Sequence, residues 1–263
     1  MKQYLQMLDY VLTKGKPKAD RTGTGTLTVF DYTMRFNMDD GFPLVTTKKM
    51  FTKGIIYELL WFLRGDDNIK FLKDNGVTIW NEWADEEGFV GPIYGYQWRK
   101  WETVVSNIDQ IKQLIANLKS NPDSRRHLVS AWNVSQIHFM ALPPCHFAFQ
   151  CQVMDGVLNL KVFLRSLDIF LGAPFDIASY AFLLHLLARV TDLIPGVLVV
   201  TATDVHLYKN HIDQARLQLT REPYPLPKLF LNLDLTDIDA VKYEDFTIDG
   251  YKFHPAIAAP IAV

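Results

Sequence analysis

A chain of 263 residues with 49% hydrophobic content can bury a full core, and no Pro/Gly/Ser-rich linker, charge run or internal repeat divides it, so one domain spanning 1–263 is expected. Its 27 basic and 29 acidic side chains leave a net charge of -2, which excludes a broad nucleic-acid surface; an anionic ligand must be small and gripped by a few local Arg side chains. Two cysteines, Cys145 and Cys151, exclude a disulfide framework, and without paired His/Cys spacing no metal site is expected.

The opening MKQYLQMLDY lacks an apolar signal core and no apolar run reads as membrane-spanning, so a cytoplasmic chain is expected, in which the sequon Asn133-Val134-Ser135 carries no sugar. Tyr4, Leu5, Leu8, Val11 and Leu12 share one helical face that stops before Gly15 and Pro17. The loop DRTGTGT, Asp20 to Thr26, combines two glycines and hydroxyl side chains with Arg21; it suits a phosphate cradle, or equally a plain connector to a strand pair over Thr26 to Phe36.

Ile55 to Leu63 reads as an apolar helix carrying one carboxylate, Glu58, which is either paired with an Arg or desolvated for proton transfer. Asp66 and Asp67 turn into a second short helix, and Trp80, Trp83, Trp98 and Trp101 crowd the segment around Gly91-Pro92-Ile93-Tyr94-Gly95. Such aromatics form core, or a platform for a flat heteroaromatic ligand. An amphipathic helix over Ile108 to Leu118 ends at Asn121-Pro122, and Arg125-Arg126 then precede an apolar strand, HLVSAW, as solvated charges or as an anion clamp.

The stretch from Ala141 to Tyr180 concentrates the chemistry. Pro143 and Pro144 present Cys145 from a rigid entry into a strand. Alternating apolar runs around Asp155-Gly156 predict a hairpin that returns Arg165 and Ser166 to the same end, where a cation favours a thiolate. Cys151, inside FAFQCQV, reads as a buried thiol. Pro174 to Val190 is the longest predicted helix, with Asp176 near its start. Val197 to Val200 forms a strand leading to Asp204, His206 and Tyr208, which alternate and so point one way. The apolar tail FHPAIAAPIAV is expected to dock.

In this order DRTGTGT, DGFPLVTTKK, ELLWFLRGD, NEWAD, GPIYG, NPDSRR, PPCH, RSLDIFLGAPF and HLYKNH resemble the thymidylate synthase family along nearly the whole chain. The resemblance implies an α/β fold of α+β type: a twisted mixed β-sheet with flanking helices, the sheets of a homodimer stacked back to back. It implies a pyrimidine deoxynucleoside monophosphate as substrate and methylenetetrahydrofolate as cosubstrate. Cys145 then matches the nucleophile that adds to C6 of the ring. Arg21, Arg165 and Ser166 match phosphate binders, and Arg125 and Arg126 match a pair reaching the same phosphate from the partner subunit. His206 and Tyr208 match contacts to the sugar 3′-hydroxyl, and His146 belongs with the substrate-binding set. Glu58 and Tyr94 match groups that manage protons through water. Asp168 matches a folate-ring contact placed also against the substrate, Trp80 and Trp83 the folate-side wall, and Val263 the closing tail.

The chain departs from that pattern at the site. Asp176 stands where the family carries Asn to read the pyrimidine edge, which resembles the deoxycytidylate hydroxymethylases of phages. Leu164 replaces a usual Gln, Phe51 a basic or imidazole side chain, and Ala202-Thr203 a glycine pair. Asp176 is therefore expected to select dCMP, with dUMP as the alternative and simple helix capping as the other role of that side chain. The one-carbon product is methyl or hydroxymethyl, Trp80 and the apolar tail favouring methyl. A thiol hydrolase using Cys145 and His146 is disfavoured because neighbours on a strand project oppositely, and a non-enzymatic binder has no need of Cys145.

Overall fold

In the computed structural model residues 1–261 are described; Val263, expected at the folate, lies outside the described residues, as does Ala262. Helix α1 (Lys2–Lys14) buries Tyr4, Met7, Leu8 and Val11, and its end is closed by the Gly15 amide, which donates to Val11 O at 2.9 Å. Strand β1 (Lys16–Lys18) leads to β2 (Thr26–Asn37), one continuous strand rather than the expected pair. It stays single because its register against the later strand β8 is the same on both sides of Asp31, although Asp31 itself has a φ of 57°.

Helix α2 (Thr52–Arg64) ends at left-handed Gly65 and is followed by α3 (Lys70–Asp74), α4 (Gly95–Lys100) and a small ribbon of β3 (Trp101–Glu102) and β4 (Asn107–Ile108). Ile108, expected on a helix, belongs to that ribbon. The carboxylate of Asp109 accepts from Lys112 N at 2.9 Å and so starts α5 (Gln110–Ser120) two residues later. The strand predicted over HLVSAW is only β5 (Leu128–Ser130). Strands β6 (His146–Met154) and β7 (Val157–Asp168), helix α6 (Gly172–Val190), strand β8 (Ile194–Tyr208), helix α7 (Ile212–Leu219) and a ribbon of β9 (Lys228–Leu231) with β10 (Phe246–Asp249) complete the order.

The main sheet runs β1-β2-β8-β7-β6-β5 and is mixed: β7 and β8 are parallel, and the other pairs antiparallel. A parallel pair needs a long crossover, which α6 supplies. The apolar residues of α6 lie all round its circumference, so both of its sides must be covered. It is long and apolar enough to cross a membrane by length and composition, contrary to the sequence reading, but 78% of that apolar window is buried inside the protein. The sheet turns Phe149, Cys151, Leu160, Val162, Leu198 and Val200 into the core. The alternate residues Gln150, Gln152, Asn159, Lys161, Val199 and Arg35 remain half-buried or exposed on its other face. The tail docks as far as Pro260: His254 N donates to Thr46 O at 2.9 Å, and Pro260 O accepts from His211 Nε2 at 2.7 Å.

Candidate active site

The β6–β7 hairpin forms around Asp155 (φ 50°) and Gly156 (φ 76°), the paired left-handed conformation that matches strand twist. At its open end Arg165 N donates to Cys145 O at 2.9 Å. The Arg165 guanidinium donates to Pro144 O at 3.0 Å and Pro143 O at 2.7 Å, and Nη2 stands 3.7 Å from Cys145 Sγ. The Pro-Pro carbonyls thus aim the cation along the entry to the thiol. The expected thiolate requires correction for the unliganded site. Burial is the largest influence on Cys145 and pushes its pKa up; Arg165 pulls it down, Asp176 and Asp168 push it up again, and the balance is upward. Cys151 is buried in the sheet and pushed by that burial to about 12, an inert thiol.

Tyr94 Oη accepts from Cys145 N at 3.0 Å. The Tyr94 ring is stacked 4.0 Å from that of His146, and its backbone φ of 32° and ψ of -95° are a strained combination costing about 1–3 kcal/mol, held by packing at 3% exposure. His146 Nδ1 pairs with Tyr180 Oη at 2.9 Å and burial pulls its pKa down to about 3. A neutral imidazole engaged with a phenol, and not with Cys145, removes the thiol-hydrolase arrangement. The ring is 8% exposed, so any contact of His146 with substrate falls to its remaining edge.

Of the two expectations for Glu58, an Arg partner or desolvation, the second holds. Glu58 on α2 accepts from Trp80 Nε1 at 2.7 Å; burial raises its pKa to about 7, and the indole bond moderates the rise. Trp83 stands 5.5 Å from Trp80, nearly perpendicular to it, and Trp80 packs 5.9 Å from Tyr94. Indole wall, carboxyl and phenol are therefore one continuous surface.

Asp168, at the end of β7, accepts from Phe170 N at 2.9 Å and Leu171 N at 3.3 Å through one oxygen, Oδ1. That bond orders the entry to α6, which begins at Gly172 with Leu171 as its N-cap. Asp176 is consequently in the second helical turn and is not a cap. It has no hydrogen-bond partner among the described residues. Burial, then the Glu58 and Asp168 carboxyls, push its pKa well above the ordinary carboxylate range. Neither of its carboxyl oxygens is engaged by a described residue.

Register brings the other polar residues alongside. Across the parallel pair Ser166 lies opposite Asp204 and Asp168 opposite His206, while Thr28 on β2 lies opposite His206 from the other side. Tyr208 meets His206 edge to face at 5.2 Å. Arg21 is exposed on a loop organised by Asp20, whose carboxylate accepts from Thr22 N at 2.8 Å and Gly25 N at 2.5 Å. Arg125 and Arg126 are exposed before β5 and make no hydrogen bond to this cluster. Arg125 instead borders the open sheet face with Gln150 and Lys161.

Two of the sequence departures are neighbours: Leu164 and Ala202 pair across β7 and β8, both buried, a large side chain beside a small one. Thr203 is exposed, and Phe51 packs its ring over Gly54, where an added Cβ would come within 2.4 Å. Sequence reasoning missed Tyr180, the Lys18–Asp204 pair and Lys48. The Lys48 ammonium is buried, donates to Phe170 O at 2.5 Å and lies 3.7 Å over the Phe170 ring. Burial pulls it down to about 8, while Asp168 holds it up. The basic pair Lys48-Lys49 beside an apolar run was the available signal. A family model described as thymidylate synthase matches residues 2–263.

Proposed function

The chain belongs to the thymidylate synthase family, and from that premise we propose that it acts on C5 of deoxycytidylate, methylating or hydroxymethylating it through a covalent Cys145–C6 bond. The family carries out folate-dependent C5 methylation of a pyrimidine nucleotide as a one-carbon transferase. Methylenetetrahydrofolate is the cosubstrate and supplies the one-carbon unit. The indoles of Trp80 and Trp83 and the free oxygen of Asp168 fit a flat heteroaromatic ring with N–H donors.

One observation carries the cytosine reading: Asp176 lies away from the helix cap with no hydrogen-bond partner among the described residues, so its oxygens are available to a base. Cytosine offers an N4 amino donor and an N3 acceptor. Asp176 can accept from N4 and share its proton with N3, and addition of sulfur to C6 makes N3 more basic, so the contact strengthens as reaction proceeds. Uracil would pair only with the protonated acid, which donates to O4 and accepts from N3–H; an ionised carboxylate would set oxygen against O4, at a cost of about 1–3 kcal/mol. The alternative substrate is dUMP, as in an ordinary thymidylate synthase.

Cys145 loses its proton and adds to C6 as the thiolate that the Arg165 guanidinium favours; the C5–C6 π pair moves to C5, which becomes the carbanion equivalent that takes the one-carbon unit, and loss of the C5 proton then expels the thiolate. Arg21 and Ser166 join Arg165 at the phosphate, and His206 and Tyr208 take the sugar. Arg125 and Arg126 serve the site of the partner in a cytoplasmic homodimer joined through the open sheet face. That face's half-buried Val199, Gln150 and Asn159 and its adjacent Arg125 support this arrangement. Incubating the protein with methylenetetrahydrofolate and dCMP or dUMP, then identifying products by mass, tests the proposal. Faster turnover of dCMP is expected; exclusive turnover of dUMP overturns it in favour of the alternative.

A further inference from the structure

Three strands converge on one carboxylate at the sugar end of the site. Asp204 on β8 receives Thr28 Oγ1 from β2 at 2.9 Å on Oδ1, and Lys18 Nζ from β1 on Oδ2. His206, two residues along β8 and on the same face, brings Nδ1 to 3.2 Å from Oδ1. The carboxylate cannot turn, because both of its oxygens are engaged. Burial alone would raise its pKa, but the bonds from Lys18 and Thr28 outweigh it and hold Asp204 below the usual carboxylate value, so it remains an acceptor only. His206 Nε2 has no partner among the described residues.

We propose that Asp204 is a positioning residue that fixes His206 in the Nδ1–H tautomer, so that Nε2 presents a lone pair to the ligand and demands a hydroxyl donor there. This rests on the nucleotide reading for the identity of that hydroxyl, the 3′-hydroxyl of the sugar. A neutral imidazole held by an ionised acceptor at Nδ1 donates toward it, which leaves Nε2 as acceptor, whereas an imidazolium would donate from both nitrogens. A phosphate or carbonyl oxygen in that position meets lone pair against lone pair and is rejected; a sugar lacking the 3′-hydroxyl leaves Nε2 unpaired. The ion pair with Lys18 acts at one remove, keeping the carboxylate charged and oriented.

Two measurements separate this from its premise. In the ligand-free protein labelled with 15N-histidine, with His206→Gln used to assign the signal, the long-range proton–nitrogen spectrum should show His206 protonated at Nδ1. Protonation at Nε2 overturns the tautomer assignment whatever the enzyme does. The kinetic arm compares the preferred deoxynucleotide with its 2′,3′-dideoxy counterpart in wild type and Asp204→Asn, whose amide can donate to Nδ1 and reverse the tautomer. The advantage of the 3′-hydroxyl in kcat/KM should fall by at least about tenfold while turnover of the dideoxy compound changes less than about threefold. Equal losses on both compounds would make Asp204 a merely structural residue and overturn the proposal. Turnover of no pyrimidine nucleotide by the wild type would remove the premise and with it the sugar hydroxyl, while the spectrum still decides the relation of Asp204 to His206.

Discussion

The indole Nε1 of Trp80 donates a 2.7 Å hydrogen bond to Glu58 Oε1, so the residue that walls the site also sets the proton affinity of its buried acid. Glu58 releases its proton near pH 7 in the folded chain against an ordinary value of 4.5. Between those values the folded state holds a proton that the unfolded chain has lost, so stability falls as pH rises through the window. Relative to Glu58→Gln, wild type should lose roughly 2 kcal/mol between pH 4.5 and 7.5, allowing for a half-buried side chain. Urea unfolding of both proteins at the two pH values measures this; a difference that does not change with pH refutes the raised pKa.

Trp80→Phe keeps the aromatic wall and deletes only the donor. The bond from Trp80 lowers the Glu58 pKa, so its loss should carry any kcat/KM limb near pH 7 upward. A limb that stays in place while kcat falls would assign Trp80 to packing alone.

Cys145→Ser should lower turnover of every nucleotide by at least about a thousandfold, since the alcohol is a far weaker nucleophile and the Arg165 guanidinium cannot make it an alkoxide. Undiminished activity would end the covalent mechanism for both pyrimidine readings.

Arg125 borders the open sheet face, Arg126 is exposed beside it, and neither makes a hydrogen bond or ion pair to the cluster around Cys145 among the described residues. If they complete the partner's site, a Cys145 variant and an Arg126 variant that are each weak alone should recover activity when mixed and re-equilibrated, through sites carrying neither lesion. No recovery despite demonstrated subunit exchange would place the arginines elsewhere.

Asp176→Asn should move preference toward dUMP by at least about tenfold in the ratio of kcat/KM values, or roughly 1.4 kcal/mol, because an amide can donate to O4 and accept from N3–H. The buried Leu164–Ala202 pair is unchanged by this substitution and limits full conversion. A wild type that already prefers dUMP, with an Asn variant altered in neither preference nor rate, would leave Asp176 without a reading role.

Much of this site was legible along the chain because its parts are local. The Asp155-Gly156 turn and the alternation around it specify the hairpin that brings Arg165 to Cys145, and an acid among the apolar residues of α2 announced Glu58. What escaped depends on strands distant in sequence. Lys18, Thr28 and Asp204 meet only after β1, β2 and β8 pair, and no spacing encodes that meeting. The thiol's proton affinity was misjudged for a similar reason: Arg165 is visible as a neighbour, whereas the burial that outweighs it is a property of the assembled core. Capping stayed open as the other role of Asp176 because the helix was expected to start at Pro174; it begins at Gly172, under the direction of Asp168.

The two-residue link between β6 and β7 also bears on the order in which the molecule assembles. A hairpin of this kind closes in about 1–10 μs, since little chain entropy is lost in bringing its strands together. Strand β2 must instead find β8 from the far end of the chain, Thr26 against Tyr208, and β7 can align with β8 only once α6 has folded between them. Such distant pairings are the slow steps. Cys145 and Arg165 are thus joined early, and the row of His206, Asp204 and Thr28 late. Substitutions in the hairpin and along the rate-limiting β2–β8 seam should both slow folding.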